Sequence, residues 1–209
     1  MTSADLMFKR RRASGAFTLT EIAIVLGIIG IILGAIWVAA SAVYENNRTA
    51  RASAQVQLII GGFRSIYGNR RVDIANETDI TPLAINNQFM PADMMVPVGT
   101  SCSAPMQYAS VYTSGACGLG PWSGSVVHVI SRQTENSVCV LFDNLSQSAC
   151  DHVGNAVATS NPGLSIVNIN GGVSVFPPYG ASPTLTASTI NGLCVSGNGN
   201  HVGVCYSMN

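Results

Sequence analysis

Charge is scarce in this chain: 10 basic and 10 acidic side chains among 209 residues, for a formal net charge of zero. That balance excludes a globally basic nucleic-acid binder, and no nucleic acid is expected as a partner. Between Ile22 and Tyr44 there is no charged residue at all, which excludes an ordinary solvated surface helix there. Proline is missing before Pro82, so nothing breaks a helix outright up to that point. Cysteine is missing before Cys102, and no C-x-x-C pair occurs. His128, His152 and His201 are scattered without zinc-finger spacing, so no metal is expected. There is no G-x-S-x-G, and Asp143 and Asp151 have no partnered histidine in a recognisable frame. No catalytic constellation emerges, and neither an enzymatic activity nor a cofactor is expected. The run Gly197-Asn198-Gly199-Asn200 reads as turn punctuation, because it has neither the strand–helix context nor the lysine of a phosphate-cradling loop.

What the chain does have is concentrated at its start. The uncharged run Ile22–Tyr44 would extend roughly 34 Å as a helix, enough to cross a bilayer core. Lys9, Arg10, Arg11 and Arg12 precede it, which predicts a cytoplasmic N-terminus and an exported remainder. A secretory signal places its small-residue cleavage site after the apolar core. Here Ala13, Ser14, Gly15 and Ala16 lie before it, so cleavage among them would remove a basic leader, residues 1–16, and keep the helix. At the head of the run stands Glu21. A carboxylate at the edge of a membrane span costs several kcal/mol unless a cation neutralises it, and such a residue is a functional site by default. No lysine or arginine lies within the span to serve.

Gly27, Gly30 and Gly34 punctuate the same run. Gly30-x-x-x-Gly34 is a spacing that lets helices approach closely. Alternatively these glycines mark a place where the helix loosens, since each costs about 1 kcal/mol of helicity. Ordinary membrane-helix glycine without a role is the plainer reading.

Periodicity predicts one helix over Phe17–Tyr67, with residues 17–44 as its membrane half and residues 45–69 as an amphipathic half. Val43, Ala50, Ala54, Leu58 and Phe63 form its expected apolar stripe, widened by Ile59, Ile60, Ile66 and Tyr67, with Gly68 and Asn69 as the stop. Residues 45–75 carry five arginines against Glu45 and Asp73, a net +3, while residues 76–209 carry Arg132 against six acids, a net −5. A basic stalk and an acidic head suit packing between copies; a solvated helix followed by a low-charge exported domain is the bland alternative. Residues 70–124, with five prolines, read as a long irregular connection. Residues 125–209 read as an antiparallel sheet. Ser125–Ile130 and Ser137–Phe142 are two of its strands, Ile166–Ile169 and Val173–Phe176 form a hairpin about Asn170-Gly171-Gly172, and Val202–Ser207 closes it. Asn144–Val153 reads as a short helix. The fold class is therefore α+β.

Six cysteines, Cys102, Cys117, Cys139, Cys150, Cys194 and Cys205, form an even set confined to the exported part. They read as a disulfide framework made in an oxidising compartment. Cys102–Cys117 would close a local loop. Nested Cys139–Cys205 and Cys150–Cys194 compete with sequential Cys139–Cys150 and Cys194–Cys205, and the residues alone leave both open.

The string Gly15-Ala16-Phe17-Thr18-Leu19-Thr20-Glu21, running on through Ile22-Ala23-Ile24-Val25-Leu26-Gly27-Ile28-Ile29-Gly30, resembles the class III signal of a type IV prepilin. The resemblance implies cleavage by a prepilin peptidase on the cytoplasmic face and N-methylation of the new terminus. It also implies pairing of Glu21 with the terminal amine of a neighbouring subunit. A cut after Gly15 would make Glu21 the sixth residue of the mature chain. A cut after Ala16 makes Phe17 first, the methylated residue, and Glu21 fifth, which is the family's position. The unbroken early helix is similar to that of the type IVb class. So are Gly120-Pro121-Trp122-Ser123-Gly124 before a strand, Ser137-Val138-Cys139-Val140, and Leu145–Val153 with Cys150, which resemble thin-pilus pilins of conjugative plasmids.

That likeness implies a pilin fold and the nested Cys150–Cys194 bridge. It gives residues 70–124 the place of the αβ-loop, which contributes to the subunit interface. It further implies a major pilin that is held in the bacterial inner membrane, handed to an inner-membrane assembly platform and polymerised with itself into a helical extracellular fibre. Adhesion, aggregation or conjugative mating contact would be the fibre's use. A minor pilin or a type II secretion pseudopilin shares the same N-terminal signal, and a membrane-anchored adhesin that never polymerises is the alternative of another class.

Overall fold

In the computed structural model, residues 18–68, 70–96, 102, 115–160, 164–175 and 186–208 are described. By internal contacts the chain divides into two units, Met1–Val43 and Tyr44–Asn209. One helix, α1 (Leu19–Tyr67), carries residues of both. Phe17, expected as its first residue, lies outside the described residues. Gly68 ends it, its amide donating to the Arg64 carbonyl at 2.7 Å.

In the first unit every described residue of α1 is exposed, although the sequence there is almost wholly apolar. In the second unit α1 has two faces. Ala52, Val56, Ile59, Ile60 and Phe63 are buried, at the 3–4-residue steps of one helical stripe. The expected stripe was partly out of phase. Val43, Ala50, Ala54 and Leu58 are exposed, and only its last member, Phe63, is buried, with Ile59 and Ile60 beside it. The reason is volume. The 52/56/59/60/63 line carries larger side chains than the alanine-rich line nearly opposite, and a sheet rewards the line that covers more apolar area.

The rest of the second unit is built on a seven-stranded sheet. Its strands are β1 (Thr78–Asp79), β2 (Gly118–Leu119), β3 (Val126–Arg132), β4 (Ser137–Ser146), β5 (Leu164–Ile169), β6 (Gly172–Val175) and β7 (Asn198–Ser207). The order is β1-β3-β4-β7-β5-β6, with β2 also pairing β3, and every pairing is antiparallel. Helices α2 (Thr81–Asn86), α3 (Gln147–Ser160) and α4 (Ala187–Leu193) complete it. Alternation sorts the strands into two faces. Val127, Val129, Val138, Val140, Phe142, Val202, Val204 and Tyr206 join the stripe of α1 in the main core. Ile130, Cys139, Leu141, Ile166 and Cys205 form a second cluster.

Several local expectations shift. The strand expected to close the sheet, Val202–Ser207, lies in its middle, between β4 and β5, and begins earlier, at Asn198. A strand apolar on both sides over Val202–Tyr206 needs cover on both edges, which a central place supplies. The run Gly197–Asn200 is therefore turn only at its start. Asn200 is fully buried, donating to the carbonyls of Leu145 (3.1 Å) and Val195 (3.0 Å) and accepting from the Val195 amide (2.7 Å). The helix expected over Asn144–Val153 starts at Gln147, because β4 continues through a bulge at Asp143–Asn144, where Asn144 takes φ +58. The hairpin turn is Asn170-Gly171, both at positive φ, as a type I′ turn demands. Its second strand, expected to reach Phe176, is described to Val175. The connection expected to be irregular contains β1, α2 and β2.

Three disulfides are present: Cys102–Cys117, Cys139–Cys205 and Cys150–Cys194. The nested pairing is thus taken, and the sequential one is not. The sheet dictates one bridge directly, since Cys139 and Cys205 are register partners across β4 and β7. The other nested bridge ties α3 to the residue after α4. There the helices come so close that a Cβ on Gly154 would press on Ile190 at 2.7 Å.

Candidate functional site

The residues singled out by the sequence fall in three places. Gly15, Ala16 and Phe17, the expected cleavage and methylation positions, lie outside the described residues. Gly27, Gly30 and Gly34 lie on the exposed first half of α1, where a Cβ on any of them would meet nothing within 4 Å. None of the described residues therefore requires glycine at those three positions. The six cysteines are all spent in bridges.

Glu21 sits in the first turn of α1, and its local partner is Thr18. The Thr18 backbone amide donates to Glu21 Oε2 at 2.8 Å, and the Thr18 hydroxyl donates to the same oxygen at 2.8 Å. In return the Glu21 amide donates to Thr18 Oγ1 at 3.3 Å. This is a capping box, which satisfies amides that the first turn of a helix leaves unpaired. The signal was present in the sequence as Thr18-x-x-Glu21 but was obscured by the question of the charge. Both Thr18 bonds land on Oε2, and among the described residues Oε1 has no donor. One oxygen thus starts the helix, and the other is open to a second partner. From Ile22 to Val43 the helix is apolar on nearly all sides, with Ile31, Trp37 and Val38 among its most exposed large residues. A helix apolar all round belongs in a membrane or in the interior of an assembly.

A second polar cluster opens the second unit, one that sequence reasoning did not assemble. Glu45 accepts from Arg48 Nη1 at 3.3 Å and from Trp122 Nε1 at 3.0 Å, which fixes the turn before β3 against α1. Arg48 also donates to the Tyr44 hydroxyl at 3.0 Å and lies 4.1 Å over its ring. Arg51 pairs with Asp93 at 3.2 Å, and the same carboxylate oxygen accepts from Gln55 Nε2. Higher on α1, Arg64 donates to the Ser207 carbonyl at 3.2 Å. Arg48, Arg51 and Arg64, counted from the sequence in a net basic stalk, have partners in their own chain, whereas Arg70 and Arg71 are exposed. The i, i+3 spacing of Arg48 and Arg51 just past the apolar run was the available signal.

Asp143 and His201 are buried elsewhere, with shifted titration. Asp143, 2% exposed at the β4 bulge, has no hydrogen-bond partner for either oxygen among the described residues. Desolvation pushes its pKa up to about 7. His201, which follows Asn200 on β7 across from that bulge, is buried, and desolvation lowers its pKa. Among the described residues no three histidine, cysteine, aspartate or glutamate side chains converge as metal ligands.

No protein-family model and no curated protein matches this chain.

Proposed function

We propose that this chain is the structural subunit of a type IV pilus of the type IVb class, a pilin fold whose α1 lies first in the inner membrane and then in the core of an extracellular fibre. The observation that carries the reading is the contrast within α1. A wholly exposed apolar half headed by a single carboxylate is fused to a folded, disulfide-bridged domain. Alone in water that half would leave a large apolar surface open. Stacked against copies of itself, it gains about 25 cal/mol for each Å² kept out of water.

Glu21 sets the axial register. Cleavage after Ala16 by a prepilin peptidase gives Phe17 a terminal amine, subsequently N-methylated. The amine of one subunit meets the carboxylate of the next. Thr18 holds Oε2 in the capping box and Oε1 takes the incoming cation, so helix start and subunit pairing are made by one side chain without conflict. In an apolar fibre centre an unmatched carboxylate is expelled and a matched one is retained, which turns one ion pair into a register device. Gly27, Gly30 and Gly34 serve close helix approach or local loosening in the fibre, in keeping with the open space around them among the described residues. An inner-membrane assembly platform extracts the subunits. The fibre's task is contact: adhesion, aggregation or mating.

The test is Glu21→Val in cells that make the fibre. Leader removal is expected to continue while surface filaments fall to a small fraction of wild type. Abundant normal filaments from the variant would overturn the role of Glu21.

A further inference from the structure

The cluster that opens the second unit frames a cleft of about 310 Å³, lined by Tyr44, Asn47, Arg48, Arg51 and Pro121. We infer that this cleft binds the phosphodiester headgroup of an anionic phospholipid while the subunit is in the membrane.

Three observations converge. First, the lining holds two guanidinium groups, a phenol and a carboxamide, and no acid. The acids that pair with the arginines, Glu45 and Asp93, stand outside the lining. Second, those pairings leave donors over. Arg48 spends Nη1 on Glu45 and Nη2 on the Tyr44 hydroxyl, and Arg51 spends Nε on Asp93. A guanidinium has five N–H groups in a planar fork suited to phosphate, so each arginine keeps N–H groups for a ligand. The side chains are also held in place: Arg48 lies on the Tyr44 ring, and Trp122 and Gln55 fix the acids that orient both arginines. Third, the depth is right. Tyr44 follows the last residue of the first unit, and along a helix Asn47, Arg48 and Arg51 come about 4–10 Å further on. The headgroup layer of one leaflet is about 5–8 Å thick, and a tyrosine at its inner edge is the usual interfacial anchor.

The inference rests on the membrane-spanning part of the proposed function and not on polymerisation. It can therefore fail while fibres form, or hold while they do not. Free phosphate offers the same chemistry as a lipid headgroup, so the experiment separates the two. Full-length chain in detergent micelles is titrated with phosphatidylglycerol, and retained lipid is read by native mass spectrometry. A single retained phosphatidylglycerol is expected, with none from diacylglycerol, which has no phosphate. The double variant Arg48→Gln/Arg51→Gln should retain at least about tenfold less, since each lost charge-assisted contact is worth about tenfold or more. Arg70→Gln/Arg71→Gln removes equal charge outside the cleft and should bind as wild type. Intact disulfides and an unchanged melting temperature show that each variant is folded. If Arg48→Gln/Arg51→Gln unfolds, Asn47→Trp, which fills the cleft and spares both arginines, carries the same expectation. Equal retention by cleft-altered and wild-type protein, equal retention of diacylglycerol, or displacement of the lipid by inorganic phosphate would each overturn the assignment.

Discussion

The two halves of α1 share one backbone and differ in almost everything else. From Leu19 to Val43 every residue is exposed and nearly every residue is apolar. From Tyr44 to Tyr67 the helix buries one stripe against the sheet and turns a polar, small-residue face outward. The first half is uncovered by any of the described residues, so its sequence answers to an environment outside the molecule. The second half answers to the sheet. The difference teaches that helix is the easy part of such a segment to specify, and that what the helix is for is written in which of its faces find cover.

The largest expected effect sharpens that division directly. Phe63, fully buried against Phe89 and Tyr67, should cost about 3–5 kcal/mol when replaced by alanine, read by denaturant unfolding of the head. Ile32→Ala, in the exposed half, should leave that transition unmoved. An equal loss from both would erase the distinction between the halves.

Asp143 tests whether the head's core obeys the same accounting. Its carboxyl is neutral in the fold up to about pH 7 and ionises near pH 3.8 when unfolded. A raised acid pKa means the native state holds the extra proton. Stability is then fullest below pH 3.8 and is lost as pH climbs to about 7, by an amount on the order of 4 kcal/mol. His201 works in the opposite sense, costing stability as pH falls through the ordinary histidine range. Thermal melts of Asp143→Asn should match wild type near pH 3 and increasingly exceed it up to pH 8. A variant no more stable than wild type at pH 8 would contradict the burial assigned to this carboxyl.

Glycine separates the halves next. A Cβ on Gly62 would collide with the Phe89 ring, so Gly62→Ala should destabilise the head by about 1–3 kcal/mol. Gly30→Ala meets nothing and should leave head stability as it is, adding about 1 kcal/mol of local helicity. Differential scanning calorimetry distinguishes these outcomes. Smallest is the cap: Thr18→Ala should cost about 1 kcal/mol at the start of α1. It should be visible as fraying of the first turn by amide exchange in micelles, with the head unaffected.

Much of this arrangement can be read from residues alone. The unbroken helix follows from an absent proline, the hairpin from Asn170-Gly171, and the disulfide framework from an even cysteine set placed after the apolar run. Other parts are set by long-range competition that a local window does not contain. Ala50, Ala54 and Leu58 satisfy helical periodicity as well as Ala52, Val56 and Ile60 do, and only the sheet chooses between them. The central place of β7 depends on a pairing across some 60 residues with β4, and Asn200 is a buried hub because that pairing delivers it among free carbonyls. At the candidate site, Glu21 is conspicuous as a charge beside grease. Its capping of the helix is legible as Thr18-x-x-Glu21, whereas the Tyr44–Arg48–Arg51 cleft emerges only once backbone directions are fixed.

The most direct measurement is intact-mass analysis of this chain in filaments sheared from the cell surface. The subunit should begin at Phe17, carry one N-methyl group, keep three disulfides and be the major component of the filaments. Recovery of the chain only from membranes, with Met1 and the Lys9–Arg12 cluster still attached, would contradict the account.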